Sequence, residues 1–420
     1  MPASRQKQVA AAVLGNALEW YDFVVFGFLS VIIGRLFFPS DNHYYELLKT
    51  TATFGVGFVT RPIGGVIMGA YADRRGRKAA LQVIIGMMTV SLLTIALAPT
   101  HASIGLAAPL LLVVARLVQG FATGGQYAIA TAFLVEVAPP HQRGLYGSMQ
   151  QIGQALAALG GAVSGMLLTT LLTPTEIDAW GWRLPFVVGL LIAPVGIYIA
   201  RHLEETDAFI EVQRSDLLRV SLLTMLRANL RGSLVTFGLV ICSTISYYVL
   251  LIYMPTFAQR VLGFSAVDAF KAQVVALLCL AALIPIAGML SDRLGQRPLL
   301  MGGATLLLVA LYPLFQRVHA TPTFANLLLM QVVLCALLAI YFGPVATAVA
   351  EQFPPGVRST GLSLAYNLAV MLFGGFAQFI VTWLTANTGN PLAGAYYVMF
   401  GAAAGLTAAC YVRPPAEARA

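Results

Sequence analysis

Gly69-Ala-Tyr-Ala-Asp73-Arg74-Arg75-Gly76-Arg77-Lys78 and Gly288-Met-Leu-Ser-Asp292-Arg293-Leu294-Gly295-Gln296-Arg297 are two versions of one pattern, 219 residues apart. Each is a short polar loop between two long apolar runs. A second pair, Glu136-Val-Ala-Pro139-Pro140-His-Gln-Arg143 and Glu351-Gln-Phe-Pro354-Pro355-Gly-Val-Arg358, recurs at an offset of 215. Two unrelated patterns that repeat at about half of a 420-residue chain predict a duplicated unit. Parallel repeats of this kind place a binding site at their interface, near the bilayer midplane.

Outward from these loops the chain resolves into twelve apolar segments of helical length. They run over about 9–37, 47–72, 79–98, 107–137, 144–172, 185–203, 232–257, 269–290, 298–316, 324–351, 360–388 and 392–412. In lipid every backbone N–H and C=O must bond within the protein, and a helix does this locally. The period-two alternation of a membrane β-barrel is absent. The expected fold is therefore all-α and polytopic, with 12 transmembrane helices in two pseudo-symmetric six-helix bundles. The expected units are 1–200, a cytoplasmic linker over 201–231, and 232–420. That linker carries ten of the chain's 42 charges, five of each sign.

Composition agrees. Charged residues are 10% and apolar residues 59%, with a mean hydropathy of +0.81. Soluble domains run near ~25% charged. These values exclude a cytosolic enzyme, a secreted disulfide scaffold and a disordered chain. The net charge of +8 is spread over many short loops, which argues against nucleic acid. With both termini inside, inner segments hold 17 Lys/Arg and outer segments 6, so cytoplasmic termini are expected. Cys242, Cys279, Cys335 and Cys410 all fall in apolar runs without metal-ligand spacing, so no metal site is expected. The first apolar run is nearly thirty residues long and holds two acids, which predicts a retained span and not a cleaved leader. The five histidines lie in or beside loops, and no nucleophile–base arrangement is visible.

The Gly-x-x-x-Asp-Arg-x-Gly-Arg-Lys loop, with its weaker copy, resembles the hallmark of the major facilitator superfamily. Further motifs resemble its metabolite:proton symporter branch. They are Asn16-Ala-Leu-Glu19-Trp20-Tyr21-Asp22-Phe23, Gly57-Phe58-Val59-Thr60-Arg61-Pro62-Ile63-Gly64, Arg116-Leu-Val-Gln119-Gly120, Trp180-Gly181-Trp182-Arg183-Leu184-Pro185-Phe186 and Gly361-Leu-Ser-Leu-Ala365-Tyr366-Asn367. The resemblance covers essentially the whole chain and looks closest to the citrate/tricarballylate and α-ketoglutarate carriers. In one place the chain departs. Relatives commonly show an acid where Gly124-Gly125-Gln126-Tyr127 has Gln126, so a coupling scheme using that acid is not carried over.

Four ionisable residues sit well within apolar spans: Glu19, Asp22, Arg61 and Arg116. A charge near the bilayer centre costs on the order of ~2.5–3.5 kcal/mol even on the mildest scale. Such residues mark proton relays and ion paths. The resemblance implies that Asp22 and Arg116 approach each other, either as a coupling pair or as a static brace. Glu19 lies one turn before Asp22 and can share a proton with it, or bond neighbouring helices. Arg61 is about twelve residues, or ~18 Å of helix, from Asp73. Arg61 and Arg116 are the cations available to clamp a carboxylate; the alternative for Arg61 is bonding to carbonyls freed by Pro62. Gln119, Gln126, Tyr127, Gln150, Gln154, Tyr247, Tyr248, Tyr366 and Asn367 are the expected polar lining.

In the superfamily the polar loop resembles a latch. Here it comprises Gly69, Asp73, Arg74, Gly76 and Arg77, with Asp292 and Arg293 in the second copy. Glu136 with Arg143, and Glu351 with Arg358, complete it. The export-type Gly-Pro signature of helix 5 is absent. The expected function is import of a small organic acid, citrate-like, with protons, by rocker-switch alternating access across a bacterial inner membrane. The alternative is proton-coupled carriage of a zwitterionic osmolyte (proline or betaine) or of another metabolite such as shikimate. A sensor or receptor would need an attached signalling domain. No cofactor is expected; the partners are the small anion, protons and the lipid bilayer, and the unit is expected to be a monomer.

Overall fold

The structure is a computed structural model that describes residues 3–75, 77–194, 229–354 and 358–412. Among these residues the regular structure is helical, with no strand. The spans fall where the apolar runs predict. In order they are α1 (Ala3–Phe28 and Ser30–Phe37), α2 (His43–Val59 and Arg61–Arg75), α3 (Arg77–Leu97), α4 (Ala107–Val137), α5 (Pro140–Leu171) and α6 (Gly181–Pro194). The second half holds α7 (Leu230–Arg260), α8 (Ala266–Leu294), α9 (Gln296–Ala320), α10 (Phe324–Ala350), α11 (Arg358–Thr388) and α12 (Ala393–Ala409). Among the described residues seven helices are long and apolar enough alone to cross a membrane, and α1 joins them as a pair bent by 62°. The expected linker lies almost wholly outside the described residues.

Local chemistry sets the breaks. α2 restarts at Arg61-Pro62, where proline has no N–H to donate and suits a first turn. Ser265 accepts from the Asp268 N–H at 3.1 Å and starts α8, and Thr323 starts α10 in the same way. Gly295 ends α8 with φ +87°, a conformation that L side chains avoid. This is the conformational reason for glycine in the second polar loop.

Within the first half α1 packs on α5, and α4 packs on α2 and α3; within the second, α10 packs on α8 and α9, and α7 and α9 on α12. The halves meet through α5 against α8 and α10, α2 against α11, and α4 against α11. Glycines let α2 and α4 touch backbone to backbone. A Cβ on Gly120 would stand 1.5 Å from the Gly57 carbonyl oxygen, and one on Gly124 would stand 2.0 Å from that of Arg61. Large apolar side chains such as Val90, Leu110 and Val309 point outward, as a lipid-facing surface requires.

Candidate functional site

A narrow cavity lies between the halves. Trp20 of α1, Tyr127 of α4 and Gln151 and Gln154 of α5 line it from one side. Ser243, Thr244, Tyr247 and Tyr248 of α7, with Tyr366 of α11, line it from the other. Its free space is about that of one water molecule. α7 carries its tyrosines on a π-helical stretch, Tyr247–Tyr253, and α11 has a second one at Val370–Gly374. Single π turns inside α-helices are frequent at functional sites.

The cavity is closed on both sides by contacts between halves. Tyr127 and Tyr366 stack with centroids 3.7 Å apart and planes 6° apart. Next to them Asn367 Nδ2 donates to the Gly124 carbonyl at 2.6 Å. At the end of the spans that bears the polar loops, Asp292 accepts from the N–H groups of Gly144 at 2.6 Å and Leu145 at 3.0 Å. Arg358 Nη1 meets Glu136 at 3.1 Å, and Arg143 meets Glu351 at 3.7 Å. Toward the other end Phe28 packs on Phe270 at 6.1 Å, and Ser30 Oγ donates to Gln378 at 3.4 Å. The structure is thus occluded.

Comparison with known proteins fits this geometry. The family model described as "Sugar (and other) transporter" matches residues 8–218 and 210–413. The chain belongs to that family, and its fold is that of the major facilitator superfamily. It is similar to a citrate-proton symporter of Klebsiella pneumoniae, 36% identical over 95% of this chain and 89% of the relative. It is also similar to the proline/betaine transporter of Escherichia coli K12, 33% identical over 96% and 82%. The partially occluded inward-open structure of the xylose transporter XylE from E. coli superposes with a TM-score of 0.78, at 18% identity and 97% coverage of both chains. The family and these relatives are transporters, so the chain is a carrier and not an enzyme, with this cavity as a chamber between its halves.

Within this transporter chain the predicted residues separate into three groups. Tyr127, Gln154, Tyr247, Tyr248 and Tyr366 line the chamber, and Asn367 braces its edge. Tyr247 donates its hydroxyl to the Gln154 carbonyl at 3.1 Å, across the two halves. Gln119 and Gln150 do not reach the chamber. Gln119 accepts from Arg116 Nη1 at 2.7 Å, and Gln150 exchanges hydrogen bonds with Asn16 at 3.0 and 3.2 Å. Trp20, Gln151, Ser243 and Thr244 line it without having been predicted. Trp20 stood inside the quoted helix 1 motif, and Gln151 is the i,i+3 partner of Gln154, so both had a signal.

The four intramembrane charges are placed close to one another but unbridged. Arg61 is 3% exposed and sits under three rings, 4.4 Å from Phe23, 4.4 Å from Phe58 and 5.1 Å from Trp20. Its Nε has no partner among the described residues. Arg116 is fully buried, lies 4.1 Å over Phe26 and gives its other contact to the Phe23 carbonyl at 3.3 Å. Asp22 is 1% exposed, and neither carboxylate oxygen has a hydrogen-bond partner among the described residues. The implied Asp22–Arg116 approach does not close to an ion pair here. Glu19 is held by Gln126, whose amide faces its carboxylate. Neither arginine lines the chamber; the wall of rings stands between.

The latch residues pair otherwise than the motifs suggest. Glu136 reaches Arg358 and Glu351 reaches Arg143, so each motif copy takes its partner from the other half. Arg293 is exposed. Gly69 lies on α2, while Gly76 and the side chains of Asp73, Arg74 and Arg77 lie outside the described residues.

Proposed function

We propose that the protein is a proton-coupled symporter that imports a small organic acid, citrate-like, through the chamber between its halves. Arg61 carries the reading. Arg61 forms no ion pair among the described residues; burying a guanidinium costs several kcal/mol, and cation–π contacts of ~0.5–2 kcal/mol each return only part of that. Arg61 lies one ring behind the chamber, beneath Trp20, and a carboxylate entering past that ring meets a cation that no ion pair closes among the described residues. The similarity to citrate-proton symporters supports the same class.

Coupling follows from the neighbouring acids. Glu19 and Asp22 stand within one turn of α1, and Arg61 and Arg116 are their cations. A substrate anion that engages an arginine weakens that arginine's hold on the ionised acid. The acid then takes a proton more readily, and linkage makes the effect reciprocal. Alternation between the latch end and the opposite end moves both together. With the basic loops inside, the latch end is the cytoplasmic one and the membrane is the bacterial inner membrane. The unit acts as a monomer.

A second reading has its own observation. Five aromatic side chains line the chamber and no charged one does. Aromatic walls suit an ammonium head, which favours a zwitterion of the proline or betaine kind once the halves part. Purified protein in liposomes with an imposed pH gradient separates the two, with labelled citrate, α-ketoglutarate, proline and betaine as probes. Gradient-dependent acid uptake supports the first reading. Uptake of proline or betaine without either acid replaces it with the second, and uptake indifferent to the gradient removes coupling.

A further inference from the structure

Gln126 and Tyr127 are adjacent on α4, yet they serve opposite halves. The Gln126 amide meets the Glu19 carboxyl of α1: with its nitrogen turned to an ionised Glu19 it donates to both oxygens, and with its oxygen turned to a protonated Glu19 it accepts the acid's O–H. Tyr127 lies flat on Tyr366 of α11 at 3.7 Å. Three residues before Tyr127, Gly124 accepts from Asn367 of α11 at 2.6 Å. One turn of α4 therefore holds a titratable group of the first half and the seal against the second.

We propose that Gln126–Tyr127 is a coupling joint: the charge on Glu19 decides whether the Tyr127–Tyr366 seal stays shut. Gln126 acts as a positioning residue. An ionised carboxylate only accepts, and it fixes both N–H groups of the amide; a protonated one carries a donor and releases one of them. That frees the turn of α4 on which Tyr127 sits. A parallel stack at 3.7 Å and 6° between two separately moving halves cannot follow such a shift without parting. The charged groups that bear on Glu19 are Arg61 from α2 and Asp22 from α1, with Arg116 of α4 acting through Asp22. From the second half the phenols of Tyr247 on α7 and Tyr366 on α11 lie within electrostatic reach of Arg61. The proposal rests on the proton-coupled reading and assigns the residue that transmits it.

The test uses the full chain in liposomes loaded with a pH-sensitive dye. It reads substrate-free proton leak and gradient-driven uptake of the same four probes across pH. Gln126→Leu removes the two donors that favour ionised Glu19, so the pH midpoint should move up by about one unit. Gln126→Glu adds a like charge and should move it the same way. A role confined to packing would lower the rate and leave the midpoint in place. Tyr366→Ala should raise the leak severalfold, and Tyr366→Phe, which keeps the ring, should leak less than Tyr366→Ala. An unmoved midpoint in both folded Gln126 variants, or a tight Tyr366→Ala, overturns the joint. If wild type moves none of the four probes, the symport reading fails instead, and the leak and its pH midpoint still judge the joint.

Discussion

At the scale of single residues, the informative feature is charge held without a bridge. Asp22 has two buried carboxylate oxygens without a hydrogen-bond partner among the described residues, one turn from Glu19, inside spans where each charge is expensive. If Asp22 is the group that binds the transported proton, Asp22→Asn should abolish accumulation against a gradient and spare exchange of labelled for unlabelled substrate. Unchanged accumulation in liposomes would take Asp22 out of the coupling role. Arg61 makes a separate prediction. Arg61→Lys keeps the charge but loses the planar fork, and should raise KM for a carboxylate about tenfold or more while altering proline uptake little. Equal effects on both substrates would mean that Arg61 serves packing. Sequence alone exposed these four residues, because ionisable side chains in apolar runs are rare and visible. It did not show their distances, since whether Asp22 and Arg116 close to a bridge depends on the relative position of α1 and α4. Nor did it separate Gln150, which bonds Asn16, from Gln151, which faces the chamber. Consecutive helical residues differ by 100° in direction, and the span's exact rotation decides which one points inward.

At the scale of elements, the α2–α4 crossing is the firmest constraint on where Arg61 stands. The backbones approach so closely that a methyl group at Gly120 would overlap the Gly57 carbonyl, a backbone atom that cannot rotate aside. Gly120→Ala should therefore destabilise the folded carrier by about 1–3 kcal/mol, and more if the helices must part. Gly86 on α3 meets nothing within 4 Å, so Gly86→Ala should leave the thermal midpoint in detergent almost unmoved. Similar midpoints for the two variants would show that the crossing is looser than the structure has it. The twelve apolar runs were legible because lipid enforces helical length and composition. The π stretches at Tyr247–Tyr253 and Val370–Gly374 were not. Each is a local choice between two hydrogen-bond registers whose side chains look alike in sequence.

At the scale of the whole molecule, duplication supplied more than two similar halves. The Glu-x-x-Pro-Pro-x-x-Arg copies at 136–143 and 351–358 look self-contained, and sequence reasoning paired each glutamate with its own arginine. In three dimensions the partners are exchanged, because α4 ends beside the start of α11 and α5 starts beside α10. Exchange turns two local ion pairs into a clasp that exists only while the halves touch at that end. Asp292 strengthens the clasp by accepting two N–H groups at the head of α5, where the helix dipole favours an anion. Opening that end must break all of these contacts together. The pair Glu136–Arg358 is partly exposed, so by itself it is worth only about 0.2–1 kcal/mol. Asp292 loses two charge-assisted bonds and should matter more. Asp292→Asn should thus shift the carrier toward opening at the latch end, read as faster thiol labelling of a cysteine placed at Gln154 from that side. Arg358→Glu should do the same to a smaller extent, and Arg358→Glu combined with Glu136→Arg should reverse it, since the exchange restores opposite charges across the same gap. Labelling that rises in the single variant and stays high in the double would mean that Arg358 acts through its bond to the Ala350 carbonyl, not through Glu136.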